Sequence, residues 1–379
     1  MTFPRIRVSG GAVDRGESYG RQAKDRILRS VEIYQGLFLK YGWTWEAARD
    51  HARQYLTPIE ALSPQYIEEL GGIARGSGLP FNDVLAMNVR TELIFAAKAR
   101  LAREQRGECS SFAILPARSV TGHTVIGQNW DWLPDCADSL VVLEAVQDDG
   151  PAFVTVVEAG LLAKTGMNAF GIGLATNALV TDADAGESGA PYHVLLRAIL
   201  DAQNVTDAYR VLLNHRRSSS ANYLVAHADG IAMDIEAAPG DFGRLFVWTA
   251  EHGLILHTNH FRSPNLPVGD VSIWAMPDTQ IRLARLNDLT APTDTPLDVD
   301  EFQRILADHA NFPDGVCCHV DARRAPLDRS ATVGSVIMDL DERALWLASG
   351  TPCVAPYERL DYADFLRAPA GIRQTATVS

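Results

Sequence analysis

The sequence predicts an α+β protein, two antiparallel sheets covered by helices, and three features carry that prediction. Apolar residues recur at steps of three and four through the first hundred residues. At Gly107 the texture switches to short β-branched runs between turn residues, and helices and strands then return in separate blocks. Such blocks suit layered helices and sheets better than alternating strand-helix-strand units, which would build a parallel sheet.

From Asp14 to Tyr41, Ile27, Val31, Tyr34, Leu37 and Phe38 mark one buried helical face. A second helix is predicted near Trp45–Leu56 and a third near Pro64–Ala74, after which Gly71, Gly72, Gly76 and Gly78 break the pattern. Asn82 or Asp83 is suited to cap a fourth, running through Leu85, Val89, Leu93 and Ala97 to about Arg103. Strands follow at Phe112–Leu115, Thr124–Gly127, Leu140–Val146, Phe153–Glu158 and Gly171–Thr176, then helices at Tyr192–Ala202 and Thr206–Asn214. A second strand group reads at Tyr223–His227, Ile231–Glu236, Leu245–Thr249 and Leu254–Asn259. Helices at Thr279–Leu289 and Val299–Ala310 precede a hairpin of Ser335–Leu340 with Ala344–Ala348. The strongest boundary lies at residues 107–109.

With 379 residues and 47% of them hydrophobic, the chain has material for one large domain or two ordinary ones. Lys+Arg 34 against Asp+Glu 47 leave a net charge of −13, a field that repels phosphate and argues against nucleic acid or an anionic membrane as partner. No stretch approaches about 18 uninterrupted apolar residues. The N-terminal stretch lacks the apolar run of a signal peptide and the end, QTATVS, carries no lipidation motif, so a cytoplasmic protein is expected. Five cysteines are too few for a disulfide scaffold, and the odd number leaves at least one thiol unpaired.

One of those thiols stands at the boundary itself, in Arg106-Gly107-Glu108-Cys109-Ser110-Ser111-Phe112, where a strand begins. Downstream, Gly127-Gln128-Asn129-Trp130-Asp131-Trp132 and His257-Thr258-Asn259-His260-Phe261 set amide, carboxylate and imidazole groups at the ends of strands. With Lys164-Thr165-Gly166-Met167-Asn168, Gly171, Asn177 and the earlier Gly71-Gly72-Ile73-Ala74-Arg75-Gly76, the ordered set resembles the acyl-coenzyme A:6-aminopenicillanic acid acyltransferase family of N-terminal-nucleophile (Ntn) hydrolases. The resemblance runs over most of the chain.

It implies a four-layer αββα sandwich made as a precursor that cuts itself between Glu108 and Cys109, giving a helical segment of residues 1–108 (α chain) and a core of residues 109–379 (β chain) that stay associated. Relatives often have Gly where this chain has Glu108. Relatives that hydrolyse penicillin V or bile salts carry an arginine shortly before the matching aspartate, whereas no arginine lies between Arg118 and Asp131 here.

The chemistry suits these residue types. A thiol of reference pKa about 8.5 benefits from a base. An α-amino group titrating near about 7.7–8.0 supplies one on the same residue. By resemblance Cys109 is the nucleophile, Asn259 the oxyanion donor and Asp131 the partner of the new α-ammonium, with Ser110, Ser111, Asn168 and Asn177 near scissile turn or substrate. The expected substrate is a small amide, such as a β-aminoacyl conjugate, or an acyl thioester, with no cofactor; a homo-oligomer is left open. The alternatives are a papain-like peptidase pairing Cys109 with His257 or His260, and an uncleaved, non-catalytic binding protein. Cys136, Cys317, Cys318 and Cys353 read as structural thiols. Neither His257-x-x-His260 nor Cys317-Cys318-His319 has the spacing of a zinc site, so no metal is expected.

Overall fold

The computed structural model describes residues 2–101, 109–292 and 294–367, and it stacks them as helices, sheet, sheet, helices. The chain opens on a strand, β1 (Arg5–Gly10), where the sequence suggested only helices before residue 108. Ile6 and Val8 point inward and Arg5 and Arg7 outward, a period of two too short to stand out. Helices α1 (Ala12–Gln22), α2 (Lys24–Lys40), α3 (Trp45–Ala52), α4 (Leu56–Leu62), α5 (Pro64–Ser77), α6 (Phe81–Asn88) and α7 (Arg90–Leu101) follow.

Gly71, Gly72 and Gly76 do not break α5; they lie inside it, and only Gly78, at φ 77°, ends it. The reason is packing against α1. A Cβ on Gly72 would stand 2.5 Å from the Val13 carbonyl oxygen, and one on Gly76 2.1 Å from that of Glu17. Gly16 and Gly20 on α1 are equally tight, against Glu69 and Ile73. Two helix backbones meet where side chains have no room.

Strands β2 (Cys109–Ile114), β3 (Val125–Trp132), β4 (Leu140–Gln147), β5 (Phe153–Glu158), β6 (Thr165–Asn168) and β7 (Ile172–Ala178) lead to α8 (Tyr192–Leu200) and α9 (Val205–Asn214). Next come β8 (Ala221–His227), β9 (Ile231–Ala237), β10 (Leu245–Thr249) and β11 (Leu254–His257). Then α10 (Ser272–Ala275), α11 (Thr279–Leu289) and α12 (Val299–Leu306) precede β12 (Ala331–Asp339), β13 (Ala344–Ala348) and β14 (Tyr357–Asp361). One sheet has the order β1-β4-β5-β6-β7-β8-β9-β10 and the other β11-β2-β3-β12-β13-β14. Among the described strands only β1 and β4 pair in parallel.

β2 and β3 face β7 across the sandwich, α8 and α9 cover the first sheet, and α11 and α12 cover the second. β2, β3, β5 and β12 are buried at every residue because both of their faces are covered. Under α12, Phe112 stacks on Phe302 with ring centroids 3.6 Å apart, and Gly127 leaves space for that ring.

The segment before residue 102 is no separate body. β1 completes the first sheet, and one core runs through both segments. Buried carboxylates also join them. Glu69 of α5 takes Arg15 at 2.9 Å and Arg197 of α8 at 3.0 Å, Glu158 of β5 takes Arg90 and the Tyr34 hydroxyl, and Glu92 accepts from the Tyr192 backbone, Ser218 and Ser219. Among the described residues no helix is long and apolar enough to cross a membrane.

Candidate active site

β2 begins at Cys109, and the strand register places the cysteine opposite Trp130 of β3, with Ser111 opposite both Gln128 and His257 of β11. Side chains alternate across a strand, so Cys109 and Ser111 face the first sheet while Ser110 faces the helices. Ser111 donates to Asn177 of β7 at 2.6 Å, and Ser110 accepts from Arg282 of α11 at 3.1 Å.

β11 ends at His257, and Thr258-Asn259 turns across the head of β2. That turn is pinned to the start of α11, where the Asn259 backbone donates to the Thr279 hydroxyl at 2.6 Å and the Thr258 hydroxyl to the Thr279 carbonyl at 3.0 Å. Asn259 Oδ1 accepts from the Cys109 backbone nitrogen at 2.7 Å and from Arg282 Nη2 at 2.9 Å, while its Nδ2 donates to the Ala178 carbonyl at 2.9 Å. One hydrogen of that Nδ2 remains without a partner among the described residues. Arg282 also donates from Nη1 to the Cys109 carbonyl at 2.7 Å and from Nε to Asp278 at 2.6 Å. Both peptide ends of Cys109 are thus held by side chains.

Its sulfur lies against the Asp131 backbone N–H, and burial raises the thiol pKa, with Lys164 pulling the other way. Burial likewise lowers Lys164 to about 8, and its ammonium sits 4.2 Å from the centroid of the Trp130 ring. Asp131 accepts from the Thr332 hydroxyl at 2.5 Å through Oδ1. Its Oδ2 is buried with no hydrogen-bond partner among the described residues, and burial lifts the carboxyl to about 7 against the opposing charge of Arg282. An orphan carboxylate oxygen in a dry place is costly unless something cationic or protic reaches it.

Cys109, Asp131 and Lys164 line one cavity with Trp130, Trp132, Tyr192, Ala178 and, from α7, Arg90, Thr91 and Phe95. Its volume is about 20 Å³, room for about one water. A larger cleft of about 210 Å³ lies behind β11, lined by Arg118, Trp248 and Arg262, and does not reach Cys109.

Of the residues suggested by sequence, Cys109, Asp131 and Asn259 come together. Asn177 is linked to the same strand through Ser111, and neither serine lines the cavity. Asn168 is elsewhere: its side chain bonds the Leu200 and Ala202 carbonyls and the Phe170 and Ile172 amides, closing the turn after β6. Glu108 lies outside the described residues. His257 is bound on both ring nitrogens, to Glu236 at 3.0 Å and the Thr258 carbonyl at 2.7 Å. Its pKa is pulled down by burial but raised overall by Asp234 and Glu236. His260 bonds Thr279, and burial with the charge of His257 takes it down to about 4. Sequence reading missed Arg282 and Thr332, and it quoted Lys164 only within a motif, with no role given to it. A signal existed for Arg282, since it shares the buried stripe of α11 with Thr279 and Leu286; an arginine among core positions has to be paired.

A four-layer sandwich with a polar, cation-flanked cysteine at the head of a central strand defines the class, an α+β protein of Ntn-hydrolase architecture. Residues 119–353, more than half of the chain, match the model of the family described as acyl-coenzyme A:6-aminopenicillanic acid acyl-transferase, and the chain belongs to that family. The matched segment holds Asp131, Lys164, Asn259 and Arg282 and begins downstream of Cys109. The chain is 24% identical over 351 residues to the acyl-coenzyme A:6-aminopenicillanic-acid-acyltransferase 40 kDa form of Emericella nidulans, with 92% of each covered. It is 22% identical over 367 residues to the beta-alanyl-dopamine/carcinine hydrolase of Drosophila melanogaster, with 89% of each covered. A solved structure of conjugated bile acid hydrolase from Clostridium perfringens aligns at 13% identity and a TM-score of 0.47, over 68% of this chain and 93% of that one. The family joins acyltransferases and amidohydrolases.

Proposed function

We propose that the protein is a self-processing amidohydrolase or acyltransferase in which Cys109 first cuts its own chain and then works on a small amide or acyl thioester. The observation that carries the reading is the hold on Cys109: its nitrogen 2.7 Å from Asn259 Oδ1, its carbonyl on Arg282, and the unpartnered Oδ2 of Asp131 close by. In the first step Cys109 Sγ attacks the Glu108 carbonyl carbon, the Glu108–Cys109 C–N bond breaks, and the nitrogen takes a proton. Water then hydrolyses the thioester, leaving the Glu108 carboxylate and a free thiol.

In the mature enzyme the α-amino group removes the thiol proton, and Sγ attacks the substrate acyl carbon. The remaining Nδ2 hydrogen of Asn259 serves the oxyanion, and Asp131 Oδ2 holds the α-ammonium once it forms. The amine or thiol leaves with the proton, and water or an amine resolves the acyl-enzyme. Water is the default acceptor, so hydrolysis of a compact amide such as a β-aminoacyl conjugate is favoured. With room for about one water at the thiol, substrate entry requires the lining from α7 to move. A papain-like pairing is disfavoured because His257 is committed to Glu236 and Thr258.

Denaturing intact-mass measurement tests the proposal. Two chains of 108 and 271 residues are expected, the larger beginning at Cys109. A single 41.3 kDa species that still hydrolyses amides would overturn the self-processing mechanism; a single inert species would favour the binding-protein reading.

A further inference from the structure

A second cluster of sulfur and nitrogen lies apart from the active-site cavity, where the loop after α12 meets the loop after β13. His309, Cys317, His319 and Cys353 bring one ligand atom each to within 4.8 Å of all the others. His319 Nε2 is 3.1 Å from His309 Nε2, 3.5 Å from Cys317 Sγ and 3.4 Å from Cys353 Sγ. A ring nitrogen has a single proton or a single lone pair, so a hydrogen bond satisfies one of these three neighbours and leaves two. A cation at the centre satisfies all four at once.

We propose that these four residues form a tetrahedral Cys₂His₂ site for a divalent zinc-like ion. With Zn–S of about 2.3 Å and Zn–N of about 2.0–2.1 Å, a regular tetrahedron has N···N edges of roughly 3.3 Å and N···S edges of roughly 3.6 Å, and the three distances given above sit within a few tenths of an ångström of those edges. Two thiolates and two imidazoles in that geometry select zinc over calcium or magnesium, which take oxygen ligands. The donors form a closed set of four, as in structural rather than catalytic zinc sites.

What the ion fastens follows from the backbone around it. His319 donates its N–H to the Pro313 carbonyl and Cys317 donates to Asp308, so the loop is already folded around the ligands. Next to them, Cys318 exchanges bonds with Thr332, its nitrogen donating to the Thr332 hydroxyl and its carbonyl accepting from the Thr332 N–H, both at 3.0 Å. Thr332 is the residue that holds Asp131. The ion therefore staples two surface loops beside the support of the active-site carboxylate. Local spacing conceals the site, because Cys317-x-His319 supplies two ligands and the others come from eight residues before and 34 residues after that pair.

The test uses the full-length protein purified under reducing conditions without chelator. About one zinc per chain by elemental mass spectrometry is expected, and cobalt loading of the stripped protein should give the intense thiolate-to-metal charge-transfer absorption of tetrahedral Co–S bonds. His309→Ala and Cys353→Ser alter exposed positions, so folding should survive. Each should weaken zinc binding by more than about 100-fold, beyond the roughly 10–100-fold typical of an outer-shell partner. Reduced wild-type protein that takes up neither zinc nor cobalt would overturn the site, as would variants that bind like wild type. A Cys317–Cys353 disulfide that re-forms in the presence of zinc, seen as a chain two hydrogens lighter, would overturn it as well.

Discussion

Two places in the molecule gather groups of opposite character around cysteine sulfur, Cys109 and the Cys317–Cys353 pair. Around Cys109 stand cations and amides: Lys164, Arg282, Asn259 and the Asp131 N–H. Around Cys317 and Cys353 stand two imidazoles. Cations and N–H groups stabilise a thiolate while leaving it free to attack, whereas neutral imidazoles and further thiols compete to share a metal. On the two proposals above, the same element serves two different tasks in two different surroundings. The first contrast to break is the proposed nucleophile: Cys109→Ala is expected to abolish both chain splitting and turnover, and Cys109→Ser to split slowly. An alanine variant with full activity refutes the assignment.

Arg282 comes next in size. Its guanidinium holds the Cys109 carbonyl, Asn259 Oδ1 and Asp278 together, and a lysine keeps the charge but lacks the planar fork that spans three partners. Arg282→Lys should slow splitting by about 10²–10³, the usual penalty for losing a fixed donor at a developing charge. Splitting at the wild-type rate, followed by gel or mass spectrometry, would show that the fork only fills space.

Asp131 gives a smaller effect, read in pH rather than in rate. Its carboxyl, lifted to about 7 by burial, carries a proton below that pH. A protonated Oδ2 does not attract the amine that cleavage liberates, so the splitting rate should fall as pH drops through about 7 and hold above it. Asp131→Asn lowers the plateau and removes that acid limb. An acid limb that persists unchanged in the asparagine variant assigns it to another group.

Much of the fold is readable in the sequence. Phe153–Glu158, Leu245–Thr249, Thr279–Leu289 and Ala344–Ala348 match the observed elements to the residue because turn residues mark both ends. β3 did not, and the cause is physical. Gln128 and Asn129 look like a strand end, but Gln128 accepts from the Thr165 hydroxyl and the Thr176 N–H, and Asn129 donates to the Leu306 and Val316 carbonyls. Polar side chains hydrogen-bonded inside the sandwich, through Gln128 Oε1 and Asn129 Nδ2, prolong the strand, and sequence alone does not show the partners. Cys109 and Asn259 were readable from ordered motifs. For Arg282 the buried stripe of α11 shows only that the arginine needs a partner; which partners it takes, and the His309–Cys353 group, were not readable, since the fold rather than local spacing brings them into place.

Cys136 offers the smallest and most discriminating change. It is as buried as Cys109, but it faces Glu158 and Tyr34, and burial with the Glu158 charge pushes its thiol well above the usual range. Arg90 opposes this only in part, because Glu158 already pairs with that guanidinium. A protonated thiol with no α-amino group of its own to take the proton is inert. Cys136→Ala removes one buried sulfur, which costs roughly 1 kcal/mol on the scale of one buried methylene, visible as a lower urea midpoint at unchanged slope. Splitting and turnover should stay at wild-type levels. If activity drops with the stability loss held to that size, burial near Glu158 is part of the chemistry, and the contrast between a thiol flanked by cations and one flanked by an anion is not what separates nucleophile from filler.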